Sequence, residues 1–182
     1  MRTLALSLIV LPTALIAACA SHHGAHHKVD NASLPEAVRV PAGHTQAWHT
    51  TTSAGEITYE CRAKKDAADQ FEWAFVGPVA TLNSGGKVVG KYYAGPTWEA
   101  NDGSKVTGKQ VAVSPATPGA IPLQLVKTNP AEGAGALVGV SYIQRLNTQG
   151  GVAPALPCGT AQKGQRQVVS YQADYVFYKP GM

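Results

Sequence analysis

Hydrophobic and polar residues alternate with a period of two along most of this chain. Phe71-Glu72-Trp73-Ala74-Phe75-Val76 sets Phe71, Trp73 and Phe75 on one face of a strand, and Glu56-Ile57-Thr58-Tyr59-Glu60-Cys61-Arg62 alternates in the same way. The pattern predicts strands over 45–52, 56–62, 71–76, 79–82, 88–93, 105–113, 121–127, 136–146 and 167–178. The last of these, rich in Val, Tyr and Phe, carries the strongest signal. Ser53-Ala54-Gly55 is expected to break the first pair, Gly77-Pro78 to stop the strand before it, and Asn83-Ser84-Gly85-Gly86 to form a turn. No uninterrupted segment shows a 3.6-residue period, and residues 66–69 have room for one helical turn at most. Eight or nine short strands separated by Gly/Pro turns predict an all-β domain over 34–182, an antiparallel β-sandwich or Greek-key barrel.

The N-terminus departs from this pattern. Residues 4–18 form an uncharged apolar run behind Arg2, too short to span a bilayer and suited to a signal peptide. The run ends Leu15-Ile16-Ala17-Ala18-Cys19, which resembles a bacterial lipobox and implies a signal peptide over 1–18 with lipidation of Cys19. Cleavage after Ala20 fits the same small residues. Either route predicts an extracytoplasmic protein. The lipid route adds a membrane anchor, facing the periplasm or the cell surface. Cys61 and Cys158 then remain as a pair in an oxidising compartment and are expected to form a disulfide. A loop of ~100 residues closed in this way is stabilised by about 4.7 kcal/mol in the chain-entropy description.

Residues 19–33 read as a polar tether. They carry His22, His23, His26 and His27, imidazoles that can hold Zn, Cu or Ni weakly; the plainer reading is a spacer, because a tether has no packed residues to fix ligand geometry. Composition adds two readings. Hydrophobic residues make up 45% of the chain, enough for a core, which excludes global disorder. A net charge of +4 without any basic run or RNA-binding motif gives no support to a nucleic-acid partner, and none is expected.

Chemistry concentrates in two places. Between the bends at Gly95-Pro96 and Asn101-Asp102-Gly103 lie Trp98, Glu99 and Asp102, with Tyr92 just before. An indole beside two carboxylates can stack on a sugar and act on a glycosidic bond. The competing reading is a buried Trp98 with a solvated turn behind it, because alternation sends Trp98 and Glu99 to opposite faces. The second place is Arg145, near a strand end. It can bind an anionic ligand through its fork, or pair with Glu99, Asp102 or Asp174 to tie strands together. His44 and His49, five apart, face opposite ways on a regular strand and share a metal only across a bulge. Serine-hydrolase, zinc-protease, phosphate-loop and dinucleotide motifs are absent from the sequence.

Several stretches resemble the secreted, mostly β family of unknown function numbered 3455 (DUF3455). They are Ile57-Thr58-Tyr59-Glu60-Cys61, Trp73-Ala74-Phe75-Val76-Gly77-Pro78, Ala94-Gly95-Pro96-Thr97-Trp98-Glu99 with Asp102-Gly103-Ser104, Gln144-Arg145-Leu146-Asn147-Thr148 with Gly150-Gly151, and residues 171–178. The resemblance implies a secreted β domain and carries no catalytic residues to transfer. It departs at Tyr92, where a His is expected, and at Leu123, where a Trp is expected. The expected function is a non-catalytic binding or structural module of the cell envelope, with a small molecule, glycan or protein as partner. The alternatives are a glycan-directed enzyme using the carboxylates near Trp98, and metal binding by the His tract.

Overall fold

The computed structural model describes residues 28–181. Its eight strands are β1 (His44–Lys64), β2 (Ala67–Ser84), β3 (Lys87–Tyr93), β4 (Thr97–Ala100), β5 (Lys105–Ser114), β6 (Leu123–Thr128), β7 (Tyr142–Gly150) and β8 (Arg166–Pro180). Each pairs antiparallel with its sequence neighbours, and β8 returns to β1, so the sheet closes into a barrel. The expected all-β antiparallel class is the observed one. The barrel is an up-and-down meander, and its closure needs no Greek-key crossover. An eight-stranded barrel is just wide enough to be filled by side chains or to hold one small ligand.

Two strands run further than the sequence predicts. β1 continues through Ser53-Ala54-Gly55, because the irregularity is taken up as a bulge between Thr51 and Gly55 against β8. A Cβ on Gly55 would lie 2.5 Å from the Tyr171 carbonyl oxygen and 2.9 Å from its ring, so glycine is what lets β1 pass under Tyr171. β2 continues through Gly77-Pro78, where it has β1 on one side but not yet β3, whose pairing starts at Val79; the missing proline N–H therefore costs no ladder bond. The strand expected over 136–146 instead starts at Tyr142, because Leu137 and Val140 turn inward as part of a loop.

Alternation sends Trp48, Ile57, Leu82, Trp98, Val126, Ile143, Tyr175 and Phe177 into the barrel, where they form the main core together with Leu137 and Val140. Glu56, Lys91, Glu99 and Lys127, each next to an inward residue on its strand, take the outer face. A lipid-facing barrel shows the reverse pattern.

A second, smaller core lies outside the barrel. Residues 28–43 cross the outer face of β6, β7 and β8, burying Val38 and Val40 against Leu125, Leu146, Val176 and Tyr178. Gln144, fully buried, donates to Asn31 Oδ1 (3.0 Å) and Val38 O (2.7 Å) and accepts from the Tyr178 hydroxyl (2.8 Å). Residues 28–33, assigned to the tether on sequence grounds, are thus docked on the barrel where they are described.

Candidate ligand-binding site

The strand ends divide into two sets. The β2–β3 and β4–β5 turns and the β6–β7 loop lie at one end; the β1–β2 hairpin, the β3–β4 turn and the β5–β6 and β7–β8 loops lie at the other. The first end is closed. Leu137, fully buried, and Val140 enter the core from the β6–β7 loop. Asp102 fixes that loop: one carboxylate oxygen accepts from the Ser104 backbone N–H (2.9 Å) and hydroxyl (2.6 Å), and the other from Ala136 N–H (2.7 Å). These bonds, led by the Ser104 hydroxyl, hold the Asp102 carboxyl below its ordinary range. Gly135 meets the same carboxylate, which leaves no space there for a Cβ. Asp102 is thus engaged in loop anchoring.

The opposite end is open. A cavity of about 490 Å³ enters the barrel there, with Ile57, Phe75, Pro78, Tyr92, Pro96 and Ile121 among its walls. That volume lies within the range of small-molecule sites. Its polar lining includes Lys109, Gln110, Gln124 and Arg145, and no Asp or Glu among the described residues lines it. The β3–β4–β5 register sets Tyr92 beside Trp98 and Trp98 beside Val106, and the β6–β7–β8 register sets Gln124 beside Arg145 and Arg145 beside Tyr175. Beneath the opening, Tyr92 packs on Trp98 at 4.8 Å and on Tyr175 at 4.9 Å between ring centroids. Trp98 and Tyr175 are fully buried, so these rings form the floor.

Polar groups crown that floor. The Tyr171 and Tyr175 hydroxyls lie 3.2 Å apart. Burial raises the pKa of both, and of Tyr59 and Tyr92, so all four stay protonated. The charge of Arg145, which the register sets beside Tyr175, acts on each of them in the opposite sense. Gln124 donates to Gln110 Oε1, while its own Oε1 is buried with no hydrogen-bond partner among the described residues.

The five candidate ligand residues therefore separate. Tyr92 and Arg145 line the cavity, and Trp98 lies under it. Glu99 is on the outer face, bound by Lys91 (3.2 Å) and the Tyr93 hydroxyl (2.8 Å). Hydrogen bonds from Tyr93 and then Lys91 lower its pKa. Asp102 belongs to the closed end. Arg145 pairs with none of Glu99, Asp102 and Asp174; it donates through Nε (3.2 Å) and Nη2 (2.9 Å) to the Pro122 carbonyl. Asp174 instead lies 3.3 Å from His49 Nε2 and accepts from Asn147 (2.7 Å).

β1 does carry a bulge between His44 and His49. The two rings nevertheless have separate partners: His44 packs edge-on against Tyr142 at 4.9 Å, and His49 pairs with Asp174. No group of three or more metal-ligating side chains occurs among the described residues. Cys19 and the histidines at 22, 23, 26 and 27 lie outside them. Sequence reasoning missed Tyr171, Tyr175, Gln110 and Gln124. The signal for the first two was present in Tyr171-Gln172-Ala173-Asp174-Tyr175, a period-two stripe with two hydroxyl-bearing rings on one face.

The open end is fastened rather than filled. Cys61 and Cys158 form the expected disulfide, with Cα atoms 5.6 Å apart, and tie β1 to the β7–β8 loop. Trp73 Nε1 donates to Leu156 O (2.9 Å) and the Tyr59 hydroxyl to Gly151 O (2.7 Å), holding the same loop at the rim. No curated protein and no solved structure matches the chain. One family, described as protein of unknown function (DUF3455), matches it over residues 41–88 and 83–179. With essentially the whole barrel covered, the chain belongs to the DUF3455 family.

Proposed function

We propose that this protein is an extracytoplasmic envelope lipoprotein that binds a small molecule in the open end of its barrel without transforming it. One observation carries the reading: a cavity of about 490 Å³ sits over a rigid aromatic floor and under a rim held by a disulfide. Preformed cavities with a few fixed polar groups are the usual form of small-molecule sites. Glu99 and Asp102 sit in structural roles away from that cavity, which argues against the glycan-directed alternative. The disulfide and the lipobox residues ending at Cys19 support export and anchoring.

The test is protein-observed NMR of the whole chain against a chemically mixed fragment set. Shifts clustered at Ile57, Tyr92, Ile121 and Arg145 are expected. A set that perturbs only the outer face, or nothing, overturns the reading. Intact mass of the exported protein checks the anchor: an unmodified Cys19 removes the lipoprotein part and leaves the cavity.

A further inference from the structure

Most barrel interiors neutralise the charges they hold. This one holds a guanidinium that no carboxylate among the described residues answers. Arg145 follows Ile143 on the inward face of β7, with Gln124 beside it on one strand and Tyr175 on the other. No Asp or Glu among the described residues forms an ion pair with it, and none lines the cavity. Two of its five N–H donors go to one carbonyl, that of Pro122. Those bonds fix the plane of the fork and leave the charge itself uncompensated.

The Tyr171 and Tyr175 hydroxyls bond to each other and Tyr175 bonds on to Tyr92, so the phenols form one chain that reaches the cavity wall at Tyr92. Around this donor-rich centre the walls are flat and apolar. The Phe75 ring is 57% exposed although its strand neighbours turn it toward the cavity, and it meets Tyr59 edge-on at 6.1 Å. Pro78, Pro96 and Ile121 complete a slot with room for a ring. An exposed aromatic side chain beside a part-exposed guanidinium without a carboxylate partner forms one surface that a ligand with an apolar and an anionic end covers.

We propose that the mouth binds a carboxylate carried on a planar, apolar body: the carboxylate on Arg145 with a tyrosine hydroxyl as second donor, and the flat body between Phe75 and the Pro78–Pro96–Ile121 wall. A single fixed fork suits a monoanion, since a bidentate guanidinium matches the two oxygens of a carboxylate. This inference rests on the reading of the cavity as a binding site and adds the class of ligand.

The test uses three probes on the whole isotope-labelled chain: trans-cinnamate, its neutral amide, and phenyl phosphate, with dissociation constants from NMR shifts of Ile57, Ile121 and the Arg145 side-chain N–H. Cinnamate is expected to bind at least about tenfold more tightly than the amide, the size of one charge-assisted hydrogen-bonded contact. Arg145→Gln should bring cinnamate down to the level of the amide and leave the amide within about twofold. Arg145→Lys, which keeps the charge and loses the fork, should fall between the two. Thermal melts of both variants confirm the fold. Equal binding of cinnamate and amide, with shifts at the mouth, overturns the carboxylate inference and leaves the binding site standing. Phenyl phosphate binding more tightly than cinnamate overturns the monoanion assignment in favour of a phosphate ester. Absence of shifts with all three overturns the inference, and the mixed fragment set then decides the fate of the cavity.

Discussion

The two ends of the barrel are stabilised by different means. At the closed end Leu137 and Val140 fill the space between strands, and Asp102 locks the loop that carries them. At the open end the interior is left partly empty. Its rim is held from outside by the Cys61–Cys158 bond, by Trp73 and Tyr59 reaching carbonyls of the β7–β8 loop, and by Glu60 between Arg62 and Arg166. Burial is the main source of stability in a small domain, but burial at the mouth would consume the cavity. A barrel that keeps an opening must therefore fasten the rim by bonds that occupy no interior volume. The difference teaches that the covalent and polar staples are evidence for the cavity, since a filled barrel would have little need of them.

The sharpest way to break this contrast is to hollow out the closed end. Leu137 is fully buried in the plug, and Leu137→Ala is expected to cost about 2–5 kcal/mol, the range for buried aliphatic truncations. Chemical denaturation of the two proteins measures it. Because the plug and the mouth are separated by the Trp98–Tyr92–Tyr175 floor, ligand shifts at the mouth should persist in the folded variant. A loss below about 1 kcal/mol would place Leu137 among residues whose site collapses without strain, and the closed end would no longer be the stability centre.

Reduction tests the other side of the comparison. The bridge closes a loop with a sequence separation of 97. Breaking it should destabilise the fold by about 2–4 kcal/mol, less than the ideal chain-entropy figure because the reduced chain retains structure. The effect should also be local in ligand binding: the β7–β8 loop loses its tie to β1, so affinity at the mouth falls while the plug loop keeps its hydrogen-exchange protection. Uniform loss of protection at both ends would show that the staple serves the whole barrel and not its rim.

How far the sequence carried these conclusions differs between the same two regions. The strands were legible because alternation is a local signal, and Tyr171–Tyr178 reads directly as an inward stripe of Tyr171, Ala173, Tyr175 and Phe177. The disulfide was legible because reading residues 1–18 as an export signal leaves only Cys61 and Cys158 to pair. Closure was not legible: which strand meets β1 depends on twist and register accumulated over the whole sheet, and no local pattern encodes it. The candidate cluster at 92–102 shows the same limit. Glu99 lies seven positions after Tyr92 and Asp102 ten, yet one lines the mouth, one faces outward and one anchors the far loop. Sequence proximity had grouped them; the strand period and the β4–β5 turn distribute them to three surfaces. From the sequence Arg145 reads as a cation for an anionic ligand or for one of the carboxylates Glu99, Asp102 and Asp174. The structure gives it the Pro122 carbonyl instead, a backbone group that no side-chain pattern announces.

The smallest expected effect concerns the polar clamp at the tip of the open end, and it is separable from the others by pH. Glu60 accepts from Arg62 (2.7 Å) and from Arg166 (2.8 Å), joining β1 to β8 beside the disulfide. The hydrogen bond from Arg62, then that from Arg166, holds its carboxyl at about 2, below the ordinary 4.5. A carboxylate with a depressed folded-state pKa stabilises the fold fully above the ordinary value and loses that contribution as pH falls from 4.5 toward 2. The pairs are solvent-exposed and screened, so the shift in melting temperature is small and shrinks at high salt. Wild type and Glu60→Gln should therefore run parallel from neutral pH down to about 5, and converge between 4.5 and 2 as the wild type alone loses the clamp. Curves that stay parallel through that window would remove Glu60 from the fastening of the mouth, and leave the disulfide and the Trp73 and Tyr59 hydrogen bonds to hold it.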